Sequence, residues 1–177
     1  MLTDAQKHAL VDLARRSVVA TVTGSAAPAF SVVVPEASGV FVTLKRGGEL
    51  RGCLGTLRCD RGLAGEVMRC AADAATQDPR FPPVSADELL DLAVEVSVLG
   101  PLEAIDPRDR DVIVIGRHGL VAERGPHRGL LLPQVATEWG WNAEQFLRQT
   151  CVKAGLEPDA WQRGARISRF EAEVIGD

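Results

Sequence analysis

The stretch Val40-Phe-Val-Thr-Leu-Lys-Arg-Gly-Gly-Glu-Leu-Arg-Gly-Cys-Leu-Gly-Thr56 determines how the first half of the chain folds. Residues 40–45 alternate between two sets of side chains with the period of a β-strand. Gly47-Gly48 is typical of a tight hairpin turn, because glycine adopts positive φ without strain. Residues 49–57 are therefore predicted to return as an antiparallel strand beside the first.

The returning strand contains a cysteine between two glycines, with an arginine close by. By strand alternation, Leu50 and Leu54 are expected to share the side that faces the core, and Arg51 and Cys53 the opposite side. An arginine on that side would favour the thiolate of Cys53, which is the nucleophilic form of cysteine. Because interior glycines weaken a strand, this segment is the first candidate for a functional site.

Helices are expected on both sides of this hairpin. Thr3 and Gln6 have the spacing of a capping box at the start of a helix, and so do Ser85 and Glu88. Residues 62–77 carry apolar side chains at helical spacing. Further helices are expected after Pro133 and Asn142, where proline and asparagine are typical of helix starts.

Further strands complete the predicted sheet. Residues 92–98 alternate as a half-buried strand whose polar face carries Glu95. Because strands follow one another through hairpins rather than alternating with helices, the fold class is α+β, with a mostly antiparallel sheet and flanking helices. The other predicted segments are a loop with a short strand at residues 23–38, a strand at 111–115 that continues through turns into residues 120–123 and 130–132, and a last strand at 167–175.

Composition excludes several classes of protein. The 177 residues, 46% of them hydrophobic, suit one ordinary globular domain. A net charge of −4, with no tyrosine, argues against nucleic-acid binding, which needs clustered basic and aromatic residues. No apolar run is long enough for a membrane span, and the N-terminal residues lack the features of a signal peptide. The chain is therefore expected to be cytoplasmic.

The four cysteines are expected to be reduced thiols. Their spacing matches no common zinc site, so no metal site is predicted. Cys70 and Cys151 lie among apolar residues at helical spacing and are interpreted as core side chains. Cys59 has no supporting context, which leaves Cys53 as the candidate functional thiol.

Six spaced motifs resemble the AMMECR domain family. They are Arg51-Gly-Cys-Leu-Gly-Thr56, Asp78-Pro-Arg-Phe-Pro-Pro83, Gly116-Arg-His-Gly119, Leu131-Leu-Pro-Gln-Val-Ala136, Gly140-Trp141 and Cys151-Val-Lys-Ala-Gly155. The resemblance implies that residues 1–177 form a single AMMECR domain of two unequal lobes, with a cleft between them that includes the Arg-Gly-Cys motif. It also implies a genomic association with a Memo-type protein and a radical SAM enzyme, as in the AmmeMemoRadiSam system, which makes these two proteins candidate partners. The resemblance supplies neither a reaction nor a cofactor.

Cys53 and His118 are the candidate catalytic residues, as nucleophile and possible base. His118 lies between glycines in a predicted turn, where an imidazole could swing towards a partner. The alternative is that Cys53 is a small packed side chain and His118 is solvated. The candidate binding residues are Arg51, Gly52, Gly55, Thr56, Arg80 and Glu95.

Two functions follow as hypotheses. In the first, the protein binds or transforms a small ligand in the cleft and uses Cys53, which would make it a cysteine-dependent enzyme. In the second, it is a non-catalytic partner of the Memo-type and radical SAM proteins, and Cys53 contributes only to the shape of a binding groove.

Overall fold

The computed structural model describes residues 2–177, apart from the side chain of Arg110. The chain divides into two compact units of unequal size. The first contains the residues up to Leu99 together with Glu173–Asp177, and the second contains Gly100–Ala172. Both units combine helices with antiparallel strands, which confirms the α+β class.

The first unit packs a sheet, made of three antiparallel strands and the last residues of the chain's final strand, against two helices. Its helices are α1 (Asp4–Thr23) and α2 (Gly62–Thr76), its strands are β1 (Gly39–Arg46), β2 (Glu49–Thr56) and β3 (Leu92–Leu99), and a 3-10 helix spans Ala86–Asp91. The strand order is β2-β1-β3, so β2 lies at an edge. Both expected capping boxes are present, at Thr3 and at Ser85.

The core of this unit lies between the helices and one face of the sheet. Val40, Val42 and Leu44 of β1 are fully buried there, together with apolar side chains of α1 and α2. Alternation along β1 turns Phe41, Thr43 and Lys45 to the other face. We call this second face the distal face of the sheet, because it is turned away from α1 and α2.

The second unit has its own core. Its strands are β4 (Glu103–Ile105), β5 (His118–Arg124), β6 (His127–Leu131) and β7 (Arg166–Gly176), and its helices are α3 (Pro133–Trp139) and α4 (Ala143–Lys153). Strand β7 pairs with both β5 and β4, and β5 pairs with β6. Phe146, Leu147 and Cys151 of α4 are fully buried. The last residues of β7 are grouped with the first unit.

Two expected strands are absent from the described residues. Residues 25–38 have no regular secondary structure, and residues 111–115 include the end of a 3-10 helix, Arg110–Val112, followed by irregular chain. In the second segment, side chains take the place of a neighbouring strand: the Val112 carbonyl accepts from Arg169, and the Val114 N–H donates to His118. A run of apolar residues was therefore not sufficient to specify a strand.

Candidate functional site

A β-bulge interrupts the pairing of β1 with β2 before the cysteine. Leu44 lies opposite Gly52, but Lys45 lies opposite Leu50, so Arg51 is one residue more than the pairing requires. Such an extra residue bends the strand and shifts the alternation of every side chain that follows. The bulge therefore decides which face of the sheet carries the cysteine.

The bulge separates the two leucines that alternation had placed together. Leu54 lies opposite Val42 and so faces the core, whereas Leu50 lies opposite Lys45 and is exposed on the other face. The prediction that Leu50 and Leu54 share a face is wrong, because the alternation restarts at Arg51. Cys53 lies opposite Thr43 and is on the distal face.

Both glycines of the motif make room for close packing. A Cβ atom at position 52 would lie 2.2 Å from the carbonyl oxygen of Ala74 in α2. A Cβ atom at position 55 would lie 2.3 Å from the ring of Phe41. Gly52 therefore allows α2 to approach the sheet, and Gly55 allows the Phe41 ring to lie over the backbone of β2.

The sulfur of Cys53 belongs to a polar row that crosses the sheet. The hydroxyl of Thr43 donates to Cys53 Sγ at 3.2 Å. Thr43 also lies opposite Glu95 on the other neighbouring strand, and Lys45 Nζ contacts Glu95 Oε1 at 2.5 Å. Cys53 is half-buried, and its thiol contacts the Thr43 hydroxyl, which separates it from the Glu95–Lys45 pair at the other end of the row.

The backbone of Cys53 is bound by the loop that follows α2. Its N–H donates to Asp78 Oδ2 at 2.9 Å, and its carbonyl accepts from Arg80 Nη2 at 3.4 Å. The side chain of Asp78 is only 2% exposed. Hydrogen bonds from Arg80 and from the Cys53 amide hold the pKa of the Asp78 carboxyl well below its usual range.

Arg51 is paired with a carboxylate rather than with the sulfur. Its guanidinium donates to Glu88 Oε1 and Oε2 at 2.8 and 3.0 Å and to the Pro82 carbonyl at 2.9 Å. The hydrogen bond from Arg51 is the main reason that the pKa of Glu88 is lowered to about 2. The guanidinium carbons of Arg51 and Arg80 lie 6.0 and 5.5 Å from the centre of the Phe81 ring. Both arginines thus anchor the loop that contains Phe81.

Thr56 closes a local turn at the end of β2. Its hydroxyl donates to the Arg58 carbonyl at 3.0 Å and accepts from the Arg58 N–H at 3.1 Å. This pattern is a common turn formed by a threonine side chain with its own backbone. The candidate binding role of Thr56 would therefore require the hydroxyl to leave a turn that it stabilises.

His118 is held in place at the start of β5. It is buried, and its Nδ1 accepts from the Val114 N–H at 3.0 Å, so the proton of the neutral ring is on Nε2. Burial is the main cause that lowers its pKa. The expectation of a turn imidazole that can swing is wrong. His118 and Cys53 belong to different units, and their pairing stays a prediction.

The other three thiols are less suited to reaction. Burial raises the pKa of Cys70 to about 11 and also raises the pKa of Cys151 and of Cys59. Cys70 and Cys151 are buried in the two cores, which confirms that they are core side chains. A raised pKa reduces the thiolate fraction at neutral pH.

The structure adds three residues to the site that sequence reasoning did not assign to it. They are Thr43, which touches the sulfur, Asp78, which binds the Cys53 amide, and Glu88, which pairs with Arg51. Asp78 lies in the Asp-Pro-Arg motif and Glu88 in a capping box, so both carried a recognisable pattern. Neither pattern indicates which residue of a distant strand it contacts.

Within residues 2–177, no group of three or more histidine, cysteine, aspartate or glutamate side chains is placed to hold a metal ion. The described helices also include none that combines the length and the apolar character needed to cross a membrane.

Comparisons with known proteins place the chain in a family. The family model described as AMMECR1 matches residues 11–175. Protein Mbar_A1807 of Methanosarcina barkeri is 44% identical over 185 aligned positions, which cover 99% of this chain and 92% of that protein. A protein of Methanothermobacter thermautotrophicus is 52% identical over 142 positions, covering 77% of this chain and 74% of its own length.

The fold has a solved counterpart as well. The crystal structure of Uncharacterized Protein PH0010 from Pyrococcus horikoshii matches with a TM-score of 0.87 at 41% identity, over 99% of this chain and 93% of that one. The similarity extends through both units, in sequence and in structure. The chain therefore belongs to the AMMECR1 family.

Proposed function

We propose that this AMMECR1-family protein binds a small ligand on the distal face of the first unit and that Cys53 is the reactive group of that site. The observation that carries this proposal is the half-buried thiol in contact with the Thr43 hydroxyl. Cys70 and Cys151, in contrast, are enclosed in apolar cores. A thiol on a polar sheet face can meet a ligand, whereas a core thiol cannot.

The polar row gives the proposed ligand a size and a character. Cys53, Thr43 and Glu95 occupy three neighbouring strands, so the two ends of the row are separated by about 10 Å, twice the usual strand spacing. A metabolite of that length could contact the thiol and the Glu95–Lys45 pair together. The Phe41 ring, in the next row, offers an apolar surface beside them.

The remaining candidate residues take different parts in this proposal. Glu95 is proposed to touch the ligand. The hydrogen bonds of Arg51, Arg80 and Thr56 are made within the protein, so these residues are proposed to shape the site through β2 and its loop. His118 is given no step in this proposal, because its Nδ1 already accepts from the Val114 N–H and its Nε2 carries the proton, which leaves no free lone pair for the proton of a thiol.

One observation favours the second function, a non-catalytic partner of a Memo-type protein and a radical SAM enzyme. The backbone N–H of Cys53 donates to Asp78, so it is unavailable to stabilise an oxyanion, which is a common role for backbone amides near a nucleophile. A cysteine without that donor suits a binding surface. Under this second function, the distal face binds a partner protein, and the sulfur of Cys53 contributes to the shape of that face.

We also propose that residues 1–177 act as one AMMECR domain in the cytoplasm. Two findings support a single domain. The family model covers residues of both units, and β7 supplies residues to each of them. A reducing cytoplasm is the compartment in which a reactive thiol persists.

A ligand search with matched cysteine variants tests the proposal. The wild-type chain, Cys53→Ser and Cys59→Ser are each mixed with a metabolite extract, separated from unbound compounds and analysed by mass spectrometry. We expect a compound that is retained by wild type and Cys59→Ser and lost by Cys53→Ser. Retention by all three chains, or by none, would contradict a ligand site centred on Cys53.

The same three chains distinguish the second function. Each is mixed with purified Memo-type and radical SAM proteins and analysed by size-exclusion chromatography. A stable complex that forms equally well with Cys53→Ser would support the partner role, while absence of any complex would count against it.

A further inference from the structure

We propose that the Asp78-Pro79-Arg80 turn takes the place of a neighbouring strand at the free edge of β2 and positions Cys53. We call these three residues the edge clasp. In this role Asp78 and Arg80 are positioning residues: they contact the backbone of Cys53 and act through it. The importance of this positioning for ligand binding rests on the proposed function of Cys53.

Strand β2 has one free edge. β2 pairs with β1 on one side and is the last strand of the sheet on the other. Peptide groups on a free strand edge are normally satisfied by water or by another chain. At Cys53 the N–H donates to Asp78 and the carbonyl accepts from Arg80. The edge clasp thus provides, at Cys53, the acceptor and the donor that a strand paired with this edge of β2 would have provided.

The carboxylate of Asp78 is fully used in this arrangement. Its Oδ1 accepts from the backbone N–H and Nε of Arg80 at 3.1 and 3.0 Å, and its Oδ2 accepts from Arg80 Nη2 at 2.7 Å and from the Cys53 N–H. Arg80 is thereby oriented towards the Cys53 carbonyl. An asparagine would keep the shape but would have only one acceptor oxygen, and its NH2 group would face donors.

The loop that continues from the clasp is fixed at its other end too. Arg51, the bulged residue, binds the Pro82 carbonyl and Glu88, and Glu88 also accepts from the Ser85 N–H at 2.8 Å. The loop is therefore attached to β2 at two places, at Arg51 and at the backbone of Cys53. This explains why an arginine and an Asp-Pro-Arg motif accompany the cysteine without either touching its sulfur.

The chain contains a natural control for the clasp. Asp106-Pro107-Arg108 repeats the same internal hydrogen bonds, with Arg108 N and Nε at 3.0 Å from Asp106 Oδ1 and Nη2 at 2.9 Å from Oδ2. Its aspartate side chain is 52% exposed, and it belongs to the other unit. Asp106→Asn changes the same chemistry away from β2.

Hydrogen exchange resolved to single amides tests the proposal on the full chain. In Asp78→Asn we expect the Cys53 amide to exchange at least about tenfold faster than in wild type, because a single amide oxygen replaces the two carboxylate oxygens that accept from Cys53 and Arg80 and the NH2 group faces these donors, while the amides shared by β1 and β3 keep their protection. Asp106→Asn should leave Cys53 unchanged. Unchanged exchange at Cys53, or an equal increase throughout the sheet, would overturn the proposal.

Two additions keep the test decisive. If Asp78→Asn does not fold, Arg80→Gln replaces it, because Arg80 is exposed and its loss removes the ion pair that orients the Asp78 carboxylate and the donor to the Cys53 carbonyl. The Cys53 N–H keeps Asp78 as its acceptor in this variant, so we expect a smaller rise in exchange, confined to Cys53, and unchanged exchange there would overturn the proposal. The rate of iodoacetamide alkylation of Cys53 relative to Cys59 is measured on the same samples. We expect this ratio to fall about threefold in the clasp variant and to stay constant in Asp106→Asn.

The two readouts separate the clasp from the proposed function. A wild-type ratio near one would contradict a reactive Cys53, yet the exchange of the Cys53 amide would still decide whether the clasp exists. A high wild-type ratio that does not respond to loss of the clasp would overturn the positioning role alone.

Discussion

The two Asp-Pro-Arg turns of this protein have the same internal geometry and very different surroundings. In each, the arginine binds its own aspartate through the backbone N–H, Nε and Nη2, and the residue after the arginine donates its N–H to the aspartate carbonyl. The aspartate side chain is 2% exposed at Asp78 and 52% exposed at Asp106. Only Asp78 also accepts a hydrogen bond from a strand edge.

This difference shows how one local motif acquires two roles. Proline fixes φ and the short aspartate side chain turns back on its own backbone, so sequence alone specifies the turn. What the turn binds depends on the packing of α2 against β2, where Gly52 allows a close approach. A buried aspartate that binds both its arginine and a strand edge contributes more to stability than an exposed aspartate that binds only its arginine.

The largest effect on stability is expected at Glu88, which follows the edge clasp in the chain and pairs with Arg51. Glu88→Ala leaves the guanidinium of Arg51, which is mostly buried, without its partner carboxylate. Removing one member of such a pair should lower the free energy of unfolding by about 3 kcal/mol. Urea denaturation measures this change, with Asp106→Ala as the exposed control, which should stay within about 0.5 kcal/mol of wild type. A loss equal to that of the control would contradict the role given to Glu88.

The next largest effect on stability is expected when the same substitution is made in each of the two turns. Asp78→Asn should lower the free energy of unfolding by about 2 kcal/mol, because one oxygen cannot serve all the donors that the buried carboxylate accepts from and the new NH2 group faces donors. Asp106→Asn should lower it by less than about 0.5 kcal/mol, because its pair is exposed to solvent. The same urea titrations apply. Equal losses in the two variants would show that the contact with Cys53 adds nothing.

Acid should reduce the difference in the free energy of unfolding between wild type and Asp78→Asn. The pKa of Asp78 is lowered from 3.8 in the folded protein, so its contribution to stability is complete above pH 3.8 and is lost as the pH falls through the folded value. The gap in the free energy of unfolding should therefore be constant near neutral pH and narrow below about pH 4. Stability curves at several pH values check this, and a gap that widens in acid would refute it.

The smallest effect is expected for the arginine of each turn. Arg80 is 55% exposed and Arg108 is 82% exposed, so Arg80→Lys should lower the free energy of unfolding by less than about 1 kcal/mol. Lysine cannot bind a carboxylate and a carbonyl with one planar group. Arg108→Lys should be close to neutral. Thermal denaturation of both variants is the check, and a larger loss for Arg108→Lys would reverse the comparison.

Several parts of the fold were predictable from local signals. The glycine pair of the first hairpin, the capping boxes at Thr3 and Ser85, and the helical spacing of residues 62–77 each specify their own element. These signals are local, since a turn, a cap or an amphipathic helix depends on residues close in sequence. The antiparallel α+β class followed from them.

Alternation with Leu54 predicted correctly that Cys53 faces away from the core, but it did not reveal the bulge that makes this orientation compatible with the hairpin. Regular pairing outward from Gly47-Gly48 would place Cys53 opposite Val42, on the core face. The bulge at Arg51 places it opposite Thr43 instead. An extra residue reverses every later side chain in a strand, and nothing in the spacing of residues 49–56 marks where it occurs. The binding partners of Cys53 were therefore beyond sequence reasoning.

His118 shows a second limit of sequence reasoning. Its glycine neighbours suggested a mobile turn, yet the imidazole is buried and accepts from the Val114 N–H. Burial is decided by the packing of a whole unit rather than by the two adjacent residues.

Our proposal that Cys53 is the reactive thiol of this protein is tested most directly by alkylation of the folded wild-type chain. Limiting iodoacetamide is added near neutral pH, and the modified fraction of each cysteine is followed over time by peptide mass spectrometry. We expect Cys53 to react at least about tenfold faster than Cys59, Cys70 and Cys151. Equally slow reaction at all four thiols would contradict the claim.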